Sequence, residues 1–201
     1  MLRRGGRQQR GMPRNLPEGV RVLLHVGCGS RSEDNRVHPQ FRGPEWHEVR
    51  LDIDPEVDPD IVDTIVDMRS VPSASVDGIW SAHNIEHVYA HEVPAVLSEF
   101  FRVLRPGGFA RIETPDLQEV AERIARGLLD EPFARTPIGP LAALDIVYGH
   151  SDSIAAENVF MAHRTGYTKR SLERRLRAAG FAEVEIERGA MELRAVAYRK
   201  S

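Results

Sequence analysis

The sequence predicts an α/β fold: a doubly wound, mostly parallel sheet with an antiparallel hairpin at its C-terminal end. Three observations predict it. Short apolar runs bounded by turn residues alternate with helical or loop-like connections along most of the chain, the order that a parallel sheet with crossovers produces. The first run, VLLHV at 22–26, goes straight into Gly27-Cys28-Gly29, and the second ends in Asp52. That spacing, about two dozen residues, is where nucleotide folds place an acid against a ribose. The last two runs, at 181–188 and 192–200, are joined so briefly that they must be antiparallel.

In the first strand Val22, Leu23, Leu24 and Val26 leave no polar face, so the strand is covered on both sides and central. The two glycines after it allow turn angles and a close ligand approach. A dinucleotide site would carry a third glycine three residues beyond Gly29. Ser32 stands there, preceded by Arg31, which speaks against an NAD-linked oxidoreductase and for a nucleoside cofactor without a pyrophosphate.

Residues 30–45 have no helical spacing of apolar positions, so a loop takes the place of the first crossover helix. The second strand, at 46–51, leads to Asp52. Residues 61–68 form a third strand whose end presents Asp67 and Met68, and a fourth begins at Asp77 and runs into Ser81-Ala82-His83-Asn84. Val93, Val96, Leu97, Phe100, Phe101 and Leu104 recur at three and four, which predicts a helix over 93–104 lying on the sheet. Arg105-Pro106-Gly107-Gly108 stops it, and a fifth strand follows at 109–113. Asp116 with Glu119 reads as the cap of a helix reaching 129, and Thr168 as the cap of another closed by Gly180. Between them, residues 130–167 lose periodicity, but the run YGHSDSIAAENVFMAHRTGYT at 148–168 is too specific in composition for a linker.

The chain has 201 residues, 41% of them apolar and 28% charged, which fits one domain over 20–201. Residues 1–19 carry five arginines against Glu18 and are expected to be a disordered basic tail, which leaves the body more acidic than the net charge of −3. An acidic body argues against an extended nucleic-acid surface. The single cysteine excludes an internal disulfide, and no apolar run is long enough to span a membrane. A cytoplasmic protein is expected.

The pattern LLHVGCG at 23–29, LDIDP at 51–55, IVDMRSVP at 65–72, VDGIWSAHNIEHV at 76–88 and FFRVLRPGGFARIETPD at 100–116 resembles the class I S-adenosylmethionine-dependent methyltransferases over about residues 20–199. Through YGH and FMAHRTGYT it is similar to bacterial methyltransferase-domain proteins. The resemblance implies a Rossmann-like sheet of seven strands, with the last antiparallel. It also implies S-adenosyl-L-methionine as cofactor, held by His25, Gly27, Cys28, Gly29, Asp52, Ile53, Asp67, Met68, Ser81 and Ala82. In it the glycines pass under the methionine part, Asp52 takes the ribose hydroxyls and Asp67 with Met68 reads the adenine. The family usually has an acid where this chain has His25.

A sulfonium already activates its methyl group, so the enzyme chiefly aligns a small polar acceptor. Candidate bases are His83, His150 and His163, with Tyr148, Arg164 and Tyr167 on the substrate side. Residues 130–167 are expected to form a lid or wall over the cleft. Two rival readings are a non-catalytic cofactor-binding module of the same fold and a zinc hydrolase, because His83 to His87 spells HxxEH. On the methyltransferase reading no metal is expected.

Overall fold

The computed structural model describes residues 10–32, 37–136 and 139–201. Five parallel strands come first: β1 (Arg21–Val26), β2 (Trp46–Asp52), β3 (Ile61–Val62), β4 (Val76–Ala82) and β5 (Leu104–Pro115). The sheet is completed by β8 (Glu183–Gly189) and β9 (Glu192–Tyr198), with β9 inserted antiparallel beside β5. The seven-strand order is β3-β2-β1-β4-β5-β9-β8. It reverses direction between β1 and β4, which is where open α/β sheets bind ligands.

Why β1 is central is visible in its burial. Leu23, Leu24 and Val26 are fully covered, Leu24 and Val26 within the main core and Leu23 within a separate aromatic cluster. On the main-core side lies α1 (Val93–Val103), with Val93, Val96, Leu97, Phe100 and Val103 buried. On the other side a loop stands where a first crossover helix would lie, as the sequence predicts, and its described residues include a 3₁₀ turn, Pro39–Phe41, whose Phe41 stacks on Phe109 at 5.8 Å and packs with Leu23 and Trp80. Val37 and the His38 ring, 5.7 Å from Trp80, join Phe41 in covering the sheet there. Part of the loop, residues 33–36, lies outside the described residues.

Several boundaries differ from expectation, each for a physical reason. The third strand is only two residues long, because the Asp63 carboxylate accepts from the Thr64 and Ser70 amides and folds the following residues into a turn. Met68 is then tied to α1, with its amide on Glu99 and its carbonyl on Arg102. The fifth strand begins at Leu104, directly after α1, and the Arg105-Pro106-Gly107-Gly108 segment forms an irregularity in its pairing with β4.

Next, α2 (Leu117–Ala125) stops before 129 and is capped by Asp116. Glu119 does not complete a capping box. Its carboxylate accepts the Met191 amide, while the Asp116 amide donates to the Met191 carbonyl, so the start of α2 clasps the β8–β9 turn.

Residues 130–136 and 139–167 hold several short elements, and residues 137 and 138 lie outside the described residues. A short hairpin, β6 (Ala134–Thr136) with β7 (Gly139–Leu141), is followed by α3 (Ala143–Tyr148), α4 (Ser151–Ala155) and a 3₁₀ turn at Val159–Met161. Ala143 and Ile146 of α3 bury against Val120 of α2. Thr168 caps α5 (Lys169–Ala178) by bonding reciprocally with Ser171.

Residues 10–19 are not a free tail: Arg10 pairs with Asp60 at 3.0 Å, and Met12 and Leu16 pack on the core. Residues 1–9 lie outside the described residues. Among those described, no helix is long and apolar enough to cross a membrane.

Candidate active site

A cavity of about 350 Å³ opens beyond the C-terminal ends of β1, β2 and β4, within the range usual for small-molecule sites. Gly27 and Gly29 line it, with Asp52 and Ile53 from the end of β2 and Ile65 and Val66 from the turn after β3. His83, Asn84 and His87 line the side after β4, and Phe160, Met161 and Arg164 come from the 130–167 region.

Gly27 has a φ of 60°, and a Cβ there would lie 2.6 Å from Asn84 Cγ. Only glycine fits. The Asn84 Nδ2 beside it is buried and donates to nothing. The glycine loop is fixed by Arg50, whose buried Nη2 donates to the carbonyls of Gly29 (2.7 Å), Cys28 (3.1 Å) and Ser30 (3.3 Å). Its Nη1 pairs with Glu48, which also meets His25 Nδ1 at 2.8 Å. Burial opposes the Glu48 charge, but the hydrogen bond from His25 and the charge of Arg50 hold its carboxyl below the usual range. Asp52 accepts from the Gly29 amide at 2.8 Å and the Asp54 amide at 3.0 Å. Each oxygen keeps a lone pair for a ligand.

The site residues expected from the sequence separate accordingly. Gly27, Gly29, Asp52 and Ile53 come together in the cavity. His25 turns to Glu48 and is absent from the lining. Cys28 is buried outside the lining, and desolvation, opposed by Arg50, pushes its thiol up to about 12. Asp67 pairs with Arg69 on the surface and Met68 is buried in the core, because the chain turns before reaching them; Ile65 and Val66 line the cavity instead. Ser81 is fully buried, and Ala82 packs toward Leu23, Phe41 and Trp80.

On the opposite side, His83 adopts a φ of 46° and sets Nε2 3.1 Å from Glu192 and Nδ1 3.5 Å from Glu86. Desolvation disfavours its charge, yet the two carboxylates raise its pKa to about 10. Glu86 is buried and accepts from Thr114 at 3.0 Å. Burial works against its ionised form, and the His83 imidazolium facing it keeps its carboxyl below the usual range.

His163 directs Nδ1 to the Ile146 carbonyl at 2.7 Å, and burial lowers its pKa. His150 is a buried cap of α4, bonded to Ser153 and away from the cavity lining. Tyr148 is exposed outside that lining. Tyr167 is a core residue: its fully buried hydroxyl donates to the Ile85 carbonyl at 3.0 Å, and burial pushes its pKa up. Arg164 reaches the mouth and lies 4.8 Å over the Tyr89 ring.

The HxxEH spelling does not form its helix. Ile85–His87 is a single 3₁₀ turn and His83 is left-handed, so the two imidazoles do not share a helical face. Sequence reasoning missed Asn84, His87 and Arg50 as site residues. Asn84 and His87 stood inside the segment read as a rival motif, whereas Arg50 had a usable signal, a cation in a strand run that needs buried acceptors.

Residues 24–112 match the family model described as a methyltransferase domain. No curated protein matches the chain. A solved S-adenosylmethionine-dependent methyltransferase from Archaeoglobus fulgidus is 15% identical, with 89% of this chain and 86% of that one covered and a TM-score of 0.57. Another from Methanosarcina mazei is 15% identical over 92% and 95% of the two chains, with a TM-score of 0.58. A third neighbour is the 1,6-didemethyltoxoflavin-N1-methyltransferase of Burkholderia thailandensis, solved with bound 1,6-didemethyltoxoflavin and S-adenosylhomocysteine. It is 16% identical over 90% and 72% of the chains, with a TM-score of 0.54. The described residues thus share the fold of these solved methyltransferases, and residues 24–112 match the methyltransferase-domain model.

Proposed function

We propose that the chain is an enzyme that binds S-adenosylmethionine in this cavity and passes its methyl group to a small polar acceptor. The observation that carries the reading is the floor at Gly27, where backbone closes on Asn84 so tightly that a Cβ has no room, beside an undonated buried amide and the Asp52 carboxylate. Asp52 would take the ribose hydroxyls with the lone pairs that the Gly29 and Asp54 amides leave. Ile53, Ile65 and Val66 offer apolar surface to an adenine, and Asn84 Nδ2 a donor to the methionyl carboxylate. When bound, the cofactor supplies a methyl group already activated on a sulfonium.

The protein's own work is then alignment and exclusion of water. Phe160 and Met161 flank the entrance with apolar surface, and Arg164 presents a cation to an incoming acceptor, which favours an electron-rich or anionic one. His83, with each ring nitrogen facing a carboxylate, has no free lone pair for a proton. The match to the methyltransferase domain model supports methyl transfer in general, and the Burkholderia neighbour binds the demethylated cofactor in a related fold.

Calorimetric titration with S-adenosylmethionine and S-adenosylhomocysteine tests this. One equivalent of each should bind, and Asp52→Ala should weaken binding by about tenfold to a hundredfold, the worth of about 1.5–3 kcal/mol for hydrogen bonds to a charged acceptor. A folded chain that takes up neither compound would falsify the reading.

A further inference from the structure

Glu86 uses only half of its carboxylate. Oε2 accepts from Thr114 Oγ1 at 3.0 Å, whereas the buried Oε1 accepts no hydrogen bond and has His83 Nδ1 no nearer than 3.5 Å. Two imidazoles face it. His163 sets Nδ1 2.7 Å from the Ile146 carbonyl, and His87 sets Nδ1 3.2 Å from the Ala162 carbonyl. A carbonyl only accepts, so His163 Nδ1 carries a hydrogen and the Nε2 lone pair of the neutral ring is left for another partner, whereas His87 faces a carbonyl with each nitrogen and must release one of the two contacts to offer a lone pair. This outer contact to a backbone oxygen is how metal-bound histidines are oriented. His87 Nε2 now lies 3.1 Å from the His83 carbonyl, a contact it would give up on coordination.

We propose that Glu86, His87 and His163 bind one divalent transition-metal ion of the zinc class, in the cleft wall opposite the glycine loop. One ligand atom from each residue lies within 4.8 Å of the other two. Bonds of about 2.0–2.2 Å in a tetrahedral set need donors about 3.4 Å apart, so small side-chain rotations complete the site. Two nitrogens and one carboxylate oxygen suit zinc rather than calcium or magnesium, which want more oxygens. The segments that carry the ligands are already fastened together, because the Arg164 and Thr165 amides both donate to the Glu86 carbonyl.

Three protein ligands leave a fourth position, and His87 lines the cavity, so that position faces the cleft. There the ion would hold an acceptor hydroxyl or thiol and lower its pKa, which supplies the deprotonation that His83 cannot. This role rests on the methyl-transfer reading; the metal site itself does not.

The full chain, stripped with chelator, is titrated with Zn²⁺ against a chromophoric competitor and separately with Co²⁺. One ion should bind per chain, and Co²⁺ should give the intense visible bands of a four- or five-coordinate site. Glu86→Gln, which keeps the Thr114 bond, and His163→Gln should each weaken Zn²⁺ binding by about a hundredfold or more. His91→Ala, at an exposed position outside the cluster, should leave it unchanged.

Absent uptake by the wild-type chain overturns the proposal, as does uptake that both folded variants share. Should the variants unfold, the wild-type Co²⁺ spectrum decides, since weak octahedral bands overturn the site. Titration of the same sample with S-adenosylmethionine reports separately on the methyl-transfer reading.

Discussion

The two sides of the cleft are built from different materials. On the side of β1 and β2, the parts come from adjacent strand ends and are largely backbone: the turn at Gly27, the amides of Gly29 and Asp54 on Asp52, and three loop carbonyls on Arg50. On the side after β4, side chains from remote segments do the holding. His83 meets Glu192 of the last strand, Glu86 meets Thr114, and the Tyr167 hydroxyl meets the Ile85 carbonyl. A change on the first side should therefore act on ligand binding with the fold intact, whereas a change on the second should act on stability as well.

The largest effect expected from this contrast is at Gly27. Gly27→Ala puts a Cβ residue at φ 60°, which costs about 1–2 kcal/mol before the overlap with Asn84 is counted. Affinity for S-adenosylhomocysteine should fall by about a hundredfold or more while circular dichroism stays native, and adding Asn84→Ala should recover part of the loss. Unchanged affinity in the single variant would break the contrast.

Tyr167→Phe comes next. It leaves the buried Ile85 carbonyl unpaired and should lower unfolding stability in urea by about 1–3 kcal/mol, with cofactor affinity largely unchanged. Loss of acceptor turnover without loss of stability would return Tyr167 to the substrate side.

The smallest effect belongs to Cys28. Desolvation pushes its pKa to about 12, so the thiol stays protonated and should resist alkylation at pH 8 until the chain is denatured. Rapid labelling of the native protein would show the loop to be open.

The same contrast explains what could be read from the sequence. Strand–glycine–acid spacing is local, so β1, β2, Gly27, Gly29 and Asp52 were legible, as was α1 from the three-and-four spacing of Val93, Val96, Leu97 and Phe100. Asp67 and Met68 were misplaced because an Asp63 turn, worth a few hydrogen bonds, ends β3 early, and apolar alternation does not report where a side chain takes over the backbone amides. Tyr167 and His150 fell where tertiary packing decides. An aromatic or imidazole in an irregular stretch reads alike whether it faces a cleft or fills the interior, and here both are buried. The short helices of 130–167 were hidden for a related reason, since α3 and α4 span only six and five residues, too few to display a period.

Arg50 has one more consequence. A guanidinium lodged beneath the loop gathers its carbonyls whether or not a ligand is present, so the resting protein already holds the receptive shape. Capture of a nucleoside should then follow a single concentration-dependent phase in rapid-mixing experiments, with no slow isomerisation of this loop behind it. The entropic toll of ordering that turn is met once, when the chain folds, and not again at each binding event.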